Sequence, residues 1–248
     1  MPRVTDFVRY GAFAKGDTPL SIQEEVMRIG IIGAGMIGST VAKLWSDADH
    51  QVFLASRHPE DLHSLVAALG ENASAGTPAE AAEFGEVVMI TIPLKAVPQL
   101  AKEVGARLEG KVVLDTGNAY EQRDGELARE ATRFPGGSAG WAASWFPKAR
   151  WVKAFNTVYF KTLQKESHRA GEPVGIPLAS DDRGALDVAS RLVRDAGFEP
   201  VVVGPLARGR EFEPGTPVYN TGMSASALRR AFAKPGAPSA LETPRLSS

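Results

Sequence analysis

From Arg28 onward, short runs of apolar and β-branched residues alternate with stretches whose apolar positions recur at helical spacing. The runs predict strands over Arg28–Ile32, Gln51–Ala55, Val87–Ile92, Lys111–Asp115, Trp151–Phe155, Val174–Ala179 and Glu199–Val203. Several, such as Val87-Val88-Met89-Ile90, are apolar without alternation, the mark of a strand buried on both faces of a parallel sheet. Between them the spacing predicts helices near Met36–Ser46, Pro59–Leu69, Pro78–Phe84, Ala96–Leu108, Gly140–Phe146 and Arg183–Asp195, and a last one across Met223–Phe232. Regular strand and helix alternation implies crossover helices, hence an α/β, doubly wound, mostly parallel sheet with a small C-terminal α/β extension.

Both ends of the chain depart from this pattern. Residues 1–26 mix Gly11, Gly16, Pro19 and scattered charges without a sustained period, and read as a flexible extension. An alternative expectation is a biological start at Met27, since Glu24-Glu25-Val26 is encodable by a purine-rich stretch just upstream of a methionine codon. Residues 234–248, with their Pro and Ser content, are expected to be a disordered tail. The ordered part divides into 27–150 and a C-terminal part, 151–233, that completes the sheet.

Composition narrows the chemistry. With 248 residues and 44% hydrophobic positions the chain can bury a substantial core. It has no cysteine, so disulfides, thiolate metal sites and cysteine nucleophiles are excluded, and a reducing cytoplasm fits. A net charge of -1 gives no broad basic field for nucleic acid or anionic lipid, so small-molecule partners are expected. No apolar run approaches the roughly 20 residues that cross a bilayer, and no signal-peptide order opens the chain.

The chemistry-bearing motif is Gly33-Ala34-Gly35-Met36-Ile37-Gly38, set between a predicted strand and a predicted helix. That context is what gives such a turn meaning. Gly33 allows the tight turn, Gly35 lets the backbone approach a pyrophosphate, and Gly38 lets helix and strand pack closely. The helix N-terminus then offers free amides and a positive dipole end to the anion. About 20 residues further on, where NAD-binding proteins place a carboxylate for the ribose 2′-hydroxyl, stand Ser56 and Arg57. A hydroxyl and a guanidinium suit a 2′-phosphate, which favours NADP(H) and makes 27–150 a Rossmann domain. The carboxyl ends of the later strands bring Thr91, Ile92 and Pro93, with Leu94, to the same edge, together with Asn118. Pro93 can equally just end its strand. Asp115 is read as a turn cap.

With these pieces in order, the chain from Met27 to about Phe232 resembles the F420-dependent NADP oxidoreductase family, whose relatives include the reductase domain of the six-transmembrane metalloreductases. The resemblance rests on Gly33 to Gly38, Ala55-Ser56-Arg57, Thr91-Ile92-Pro93, Val152 to Thr157 and Gly204-Pro205-Leu206-Ala207-Arg208. It implies that Ala34 to Ile37, Ser56, Arg57, Pro93 and Ala154 contact NADP, and that a crevice near Phe155 to Val158 and Leu206 faces a deazaflavin, coenzyme F420. It also implies a homodimer by analogy.

Hydride transfer between such rings needs orientation in a dry crevice rather than a side-chain nucleophile or metal. That agrees with four dispersed histidines and no evident triad or paired-carboxylate cluster. Asn156 and Thr157 are the acceptor-side candidates, and no metal ligands are expected. Arg208 and Arg210 are candidates for the anionic F420 tail or ordinary surface arginines. Trp141 and Trp145, at i and i+4, are expected to pack rather than stack on a ligand. Two readings stay open beside the leading one: an NADPH-dependent reductase of a flavin, ferric chelate, carbonyl or imine, and a module that binds NADP(H) without turnover.

Overall fold

A computed structural model describes residues 25–233. The expected disordered tail and all but the last two residues of the N-terminal extension lie outside the described residues. Eight strands form one sheet: β1 (Arg28–Ile32), β2 (Gln51–Ala55), β3 (Ala73–Gly76), β4 (Val87–Ile90), β5 (Val112–Asp115), β6 (Arg150–Lys153), β7 (Gly175–Ala179) and β8 (Glu199–Gly204). Their spatial order is β3-β2-β1-β4-β5-β6-β7-β8. All neighbours run parallel except β6 and β7, which meet through the single antiparallel pair Lys153 and Ala179. The order reverses at β1, so the crevice between the carboxyl ends of β1 and β4 is the topological switch point where ligands of such sheets bind.

The central strands are apolar throughout because both faces are covered. Helices α1 (Met36–Asp47), α2 (His63–Leu69), α8 (Phe160–Glu166) and α9 (Arg183–Asp195) cover one face, over Ile29, Ile31, Leu54 and Leu178. Helices α3 (Pro78–Phe84), α4 (Val97–Val104), α6 (Glu126–Arg133) and α7 (Gly137–Ser144) cover the other, over Ile32, Val88, Ile90 and Val113. A four-residue helix α5 (Glu121–Asp124) precedes α6, and α10 (Ala225–Phe232) packs with Phe212 and Val218 on Val201 and Val203 of β8. Several starts are locally encoded: Thr77 and Glu80 form a capping box ahead of Pro78, and Asp182 and Ser224 cap α9 and α10.

Three features depart from the sequence-based expectation, each for a physical reason. Strand β3, Ala73-Ser74-Ala75-Gly76, carries no hydrophobic signal because it is a half-buried edge whose small side chains lie beside Phe53. Helix α6 and helix α8 are short and mostly polar, stabilised by a narrow stripe of contacts such as Ala128, Ala131 and Leu163. The strands predicted to reach Ile92 and Phe155 stop two residues sooner, at Ile90 and Lys153, and these freed ends build the ligand-side loops. Trp141 is buried, as its i and i+4 spacing with Trp145 suggests, while Trp145 is half-exposed at the end of α7 and packs edge-on against it at 5.8 Å.

The sheet and α3 approach so closely at Gly30 that a Cβ there would fall 2.1 Å from the Ala81 carbonyl oxygen. Backbone has no rotamer with which to yield. Gly30→Ala is therefore expected to destabilise the fold by about 2–3 kcal/mol, lowering the melting temperature by roughly 4–10 °C for a chain of this size. Thermal unfolding followed by circular dichroism checks this, and an unchanged melting temperature would refute the close contact.

Candidate functional site

The glycine turn is shaped by two contacts. Gly33, at φ +112°, donates its N–H to the Ala55 carbonyl at 2.9 Å and lies so near β4 that a Cβ would come 2.4 Å from the Thr91 carbonyl oxygen. Gly38, one turn into α1, has the Gly33 carbonyl oxygen 2.0 Å from where its Cβ would be. Both positions therefore exclude any side chain for reasons internal to the protein. Gly35 differs, since a Cβ there would meet nothing within 4 Å. Packing within the protein does not require glycine at that point, and its absent side chain leaves the backbone open to approach from outside the chain. Gly35 is the N-cap of α1 and no side chain caps that helix, so the first-turn amides face open space with the positive end of a 12-residue helix behind them. A diphosphate suits that cradle without any basic side chain.

Ser56 and Arg57 follow β2 directly. The Ser56 N–H reaches the Gly76 carbonyl at 3.3 Å, and its Oγ accepts from the His58 backbone N–H at 3.1 Å, which folds the loop at the strand end. Arg57 is exposed and, among the described residues, has neither a hydrogen-bond nor an ion-pair partner. Its guanidinium is thus available to an anion. The nearby carboxylates turn to other work: Glu60 lies 3.4 Å from His58, and Glu60 and Asp61 sit in the first turn of the short helix Pro59–Leu62.

Beside the turn opens a cleft of about 390 Å³ along the carboxyl ends of β4, β5 and β6. Met36, Ile37, Thr91, Ile92, Pro93, Asn118 and Asn156 line it, so residues more than a hundred positions apart in the chain meet at one surface. Leu94 turns instead into the core, as does Leu206, which packs in the same cluster as Trp141. Ala154 and Thr157 stand behind the wall. Ala154 is fully buried and donates its N–H to Asp115, and the Thr157 hydroxyl is spent on the Phe212 carbonyl at 3.0 Å. Arg208 and Arg210 are engaged within the fold, Arg208 with both carboxylate oxygens of Glu211 at 2.7 Å and Arg210 with the Phe134 carbonyl.

The cleft is also aromatic: Phe155, Tyr159, Phe160, Tyr120 and Tyr219 line it. Tyr120, Tyr219 and Arg123 were not legible as a site, because they come from segments with no motif. Phe155 holds a left-handed backbone at φ 58°, as does Asn220 at φ 55°, and both border the cleft. Such conformations persist only where surrounding packing enforces them. For Phe155 that packing includes the edge-on Trp45 ring at 5.9 Å, itself fixed by its indole N–H donating to the Leu192 carbonyl at 2.8 Å.

Beneath the aromatic wall the polar groups satisfy one another. Asn156 donates to Asn118 Oδ1 and to the Phe212 carbonyl, both at 3.1 Å, so its amide holds the wall rather than facing outward. Asn118 Nδ2 donates to the Asn156 carbonyl at 2.9 Å and to the Tyr219 hydroxyl at 3.3 Å, and that hydroxyl in turn meets the Tyr120 hydroxyl. Burial, reinforced by the Tyr120 contact, pushes the Tyr219 phenol well above its ordinary value. Burial also works against ionised Asp124, yet the Arg123 guanidinium and the Lys95 and Tyr120 amides outweigh it and hold that carboxyl below its usual range. Fully buried Lys153 pairs with Asp115 at 2.9 Å and donates to the Gly117 carbonyl, while Asp115 accepts from the Gly117 N–H at 2.7 Å. This closed set fixes the loop from Thr116 to Asn118, and Asp115 is thereby more than a turn cap.

Comparison with known proteins agrees with this geometry. The family model described as NADP oxidoreductase, coenzyme F420-dependent, matches residues 28–119. The F420-dependent NADP reductase of Methanothermobacter marburgensis is 30% identical over 206 residues, spanning 77% of this chain and 90% of that relative. The metalloreductase STEAP3 of Rattus norvegicus is 27% identical over 192 residues, 77% of this chain, but the chain spans only 37% of that relative's length. Among solved structures, a hypothetical protein from Sinorhizobium meliloti matches with a TM-score of 0.71 at 26% identity, over 80% of this chain and 96% of that one. Among the described residues no helix is long and apolar enough to cross a membrane. With a full-length relative at this identity and a switch-point glycine turn in place, the chain is an NADP-dependent oxidoreductase and belongs to the coenzyme F420-dependent NADP oxidoreductase family.

Proposed function

We propose that the chain transfers hydride between NADPH and a deazaflavin of the coenzyme F420 type, working in the cytoplasm as a homodimer. The carrying observation is the cleft itself, which Met36 and Ile37 of the glycine turn line together with five aromatic residues. When bound, the dinucleotide supplies the hydride. The amides of Gly35 to Ile37 would hold its diphosphate, and Ser56 and Arg57 its adenosine 2′-phosphate. Thr91, Ile92 and Pro93 would flank the nicotinamide ribose, and Asn118 and Asn156 hold the wall against which the acceptor ring would rest. The aromatic rings and the buried wall exclude water, which favours hydride transfer over loss of the reducing equivalent. A second reading, reduction of a ferric chelate, is favoured only by the similarity to the metalloreductase.

Three outcomes test the reading. NADPH is expected to bind at least about tenfold more tightly than NADH, roughly 1.4 kcal/mol, and Arg57→Ala to abolish most of that preference with NADH binding unchanged. Calorimetric titration measures both, and equal affinities in the unmodified protein would contradict the assignment. Gly35→Val is expected to fold normally, since the space is open, yet to lose coenzyme binding; a melting temperature unchanged together with normal binding would move the diphosphate elsewhere. The rate of F420 reduction is expected to be nearly constant between about pH 6 and pH 8, because no histidine lines the cleft and Tyr219, pushed upward, stays protonated throughout. A steep bell-shaped profile in that window would reveal an acid or base of the carbonyl-reductase kind.

A further inference from the structure

Tyr120 and Tyr219, which both line the cleft, carry more than packing. Tyr120 and Tyr219 bring two hydroxyl protons to one contact, and a single O–H···O bond between them uses only one. Asn118 Nδ2 donates to the Tyr219 oxygen and so cannot accept the other. Among the described residues neither hydroxyl has a further acceptor, so one phenol proton of the pair is unspent at a surface that lines the cleft. The Tyr219 oxygen already accepts from Asn118, so where Tyr120 donates across the pair it is the Tyr219 proton that is left for the cleft. The nearby charges are Arg123, whose guanidinium lies 4.9 Å from the Tyr120 ring centre, and Asp124, to which Arg123 is paired at 2.8 Å. Among the described residues no carboxylate lines the cleft to compete for the free proton.

We propose that the Tyr219 hydroxyl is a catalytic hydrogen-bond and proton donor to the acceptor, at the ring nitrogen or oxygen that gains negative charge when hydride arrives, with Tyr120 as the group that resupplies it. This rests on the hydride-transfer reading above and adds the acceptor's required chemistry: a carbon that takes hydride, conjugated to a heteroatom that takes a proton. The C4–H bond of the dihydronicotinamide breaks with both electrons, and a C–H bond forms on the acceptor. NADPH is oxidised by two electrons and the acceptor is reduced by two. The pair displaced onto the conjugated heteroatom takes the Tyr219 proton, Tyr219 takes that of Tyr120, and partly exposed Tyr120 takes one from water. One solvent proton is consumed overall and neither phenol remains ionised. A preformed donor in a cleft screened from water costs no reorganisation as charge develops.

The test is steady-state turnover of the full chain and its Tyr219→Phe and Tyr120→Phe variants, with NADPH and a panel of F420, a free flavin, a ferric chelate and a ketone, in H2O and D2O. NADPH affinity is measured alongside by fluorescence. The expected result is a loss in kcat on the order of a hundredfold in Tyr219→Phe, a smaller loss in Tyr120→Phe, and unchanged NADPH affinity in both. The solvent isotope effect of the unmodified protein should vanish in Tyr219→Phe. A purely structural role would leave that isotope effect in place and so overturns the proposal, as does turnover within twofold of the unmodified protein. Turnover with a flavin or ketone but not with F420 refutes the deazaflavin reading, and the Tyr219→Phe variant on that acceptor still decides the donor role. Absence of turnover with every acceptor overturns both.

Discussion

The close approach of Gly33, Gly38 and Thr91 governs the rest of the site. Because the Gly33 carbonyl occupies the space of a Gly38 side chain, α1 begins hard against the end of β1, and its first-turn amides emerge at the sheet edge. Because Gly33 also presses on the Thr91 carbonyl, the end of β4 is held beside that turn. Two backbone contacts, neither involving a functional side chain, thus bring an anion cradle and the floor of the cleft together. Move either by an ångström and the two halves of a dinucleotide would no longer share one surface.

Charge is managed sparingly around this frame. The cradle relies on amide dipoles, and the exposed cation beside it, Arg57, stays free of acidic partners among the described residues. Where a full charge is buried, at Lys153, it is compensated at once by Asp115 and the Gly117 carbonyl. Removing one partner of such a pair typically costs about 3–5 kcal/mol, because the other charge is left uncompensated. That penalty holds the Thr116 to Asn118 loop in place, and Asn118 in turn orients Tyr219. A structural ion pair one layer down therefore sets the position of a hydroxyl at the cleft surface.

The dinucleotide half of the site was legible in the sequence because its determinants are local. A glycine spacing between a strand and a helix, and a Ser-Arg pair after the next strand, are each read within a few residues. The central strands were legible too, being buried on both faces. The acceptor half was not. Tyr120 and Tyr219 lie about a hundred residues apart with no pattern linking them, and they meet only because β5 and the segment before α10 converge. Asn156 and Asn118, expected as ligand-side residues, line the cleft, yet their amides bond to one another and to the Phe212 carbonyl and serve the wall. Strand β3 escaped notice because an edge of small residues needs no hydrophobic alternation to pair.

The central claim is direct hydride passage across the cleft from a dinucleotide seated on the glycine turn. Its most direct measurement is mass spectrometry of the reduced acceptor after turnover with NADPH deuterated at either diastereotopic C4 position. Deuterium from one position only, retained on carbon in reduced F420, is the predicted result. Label appearing in the solvent, or equally from both positions, would mean that the two rings do not meet in this cleft.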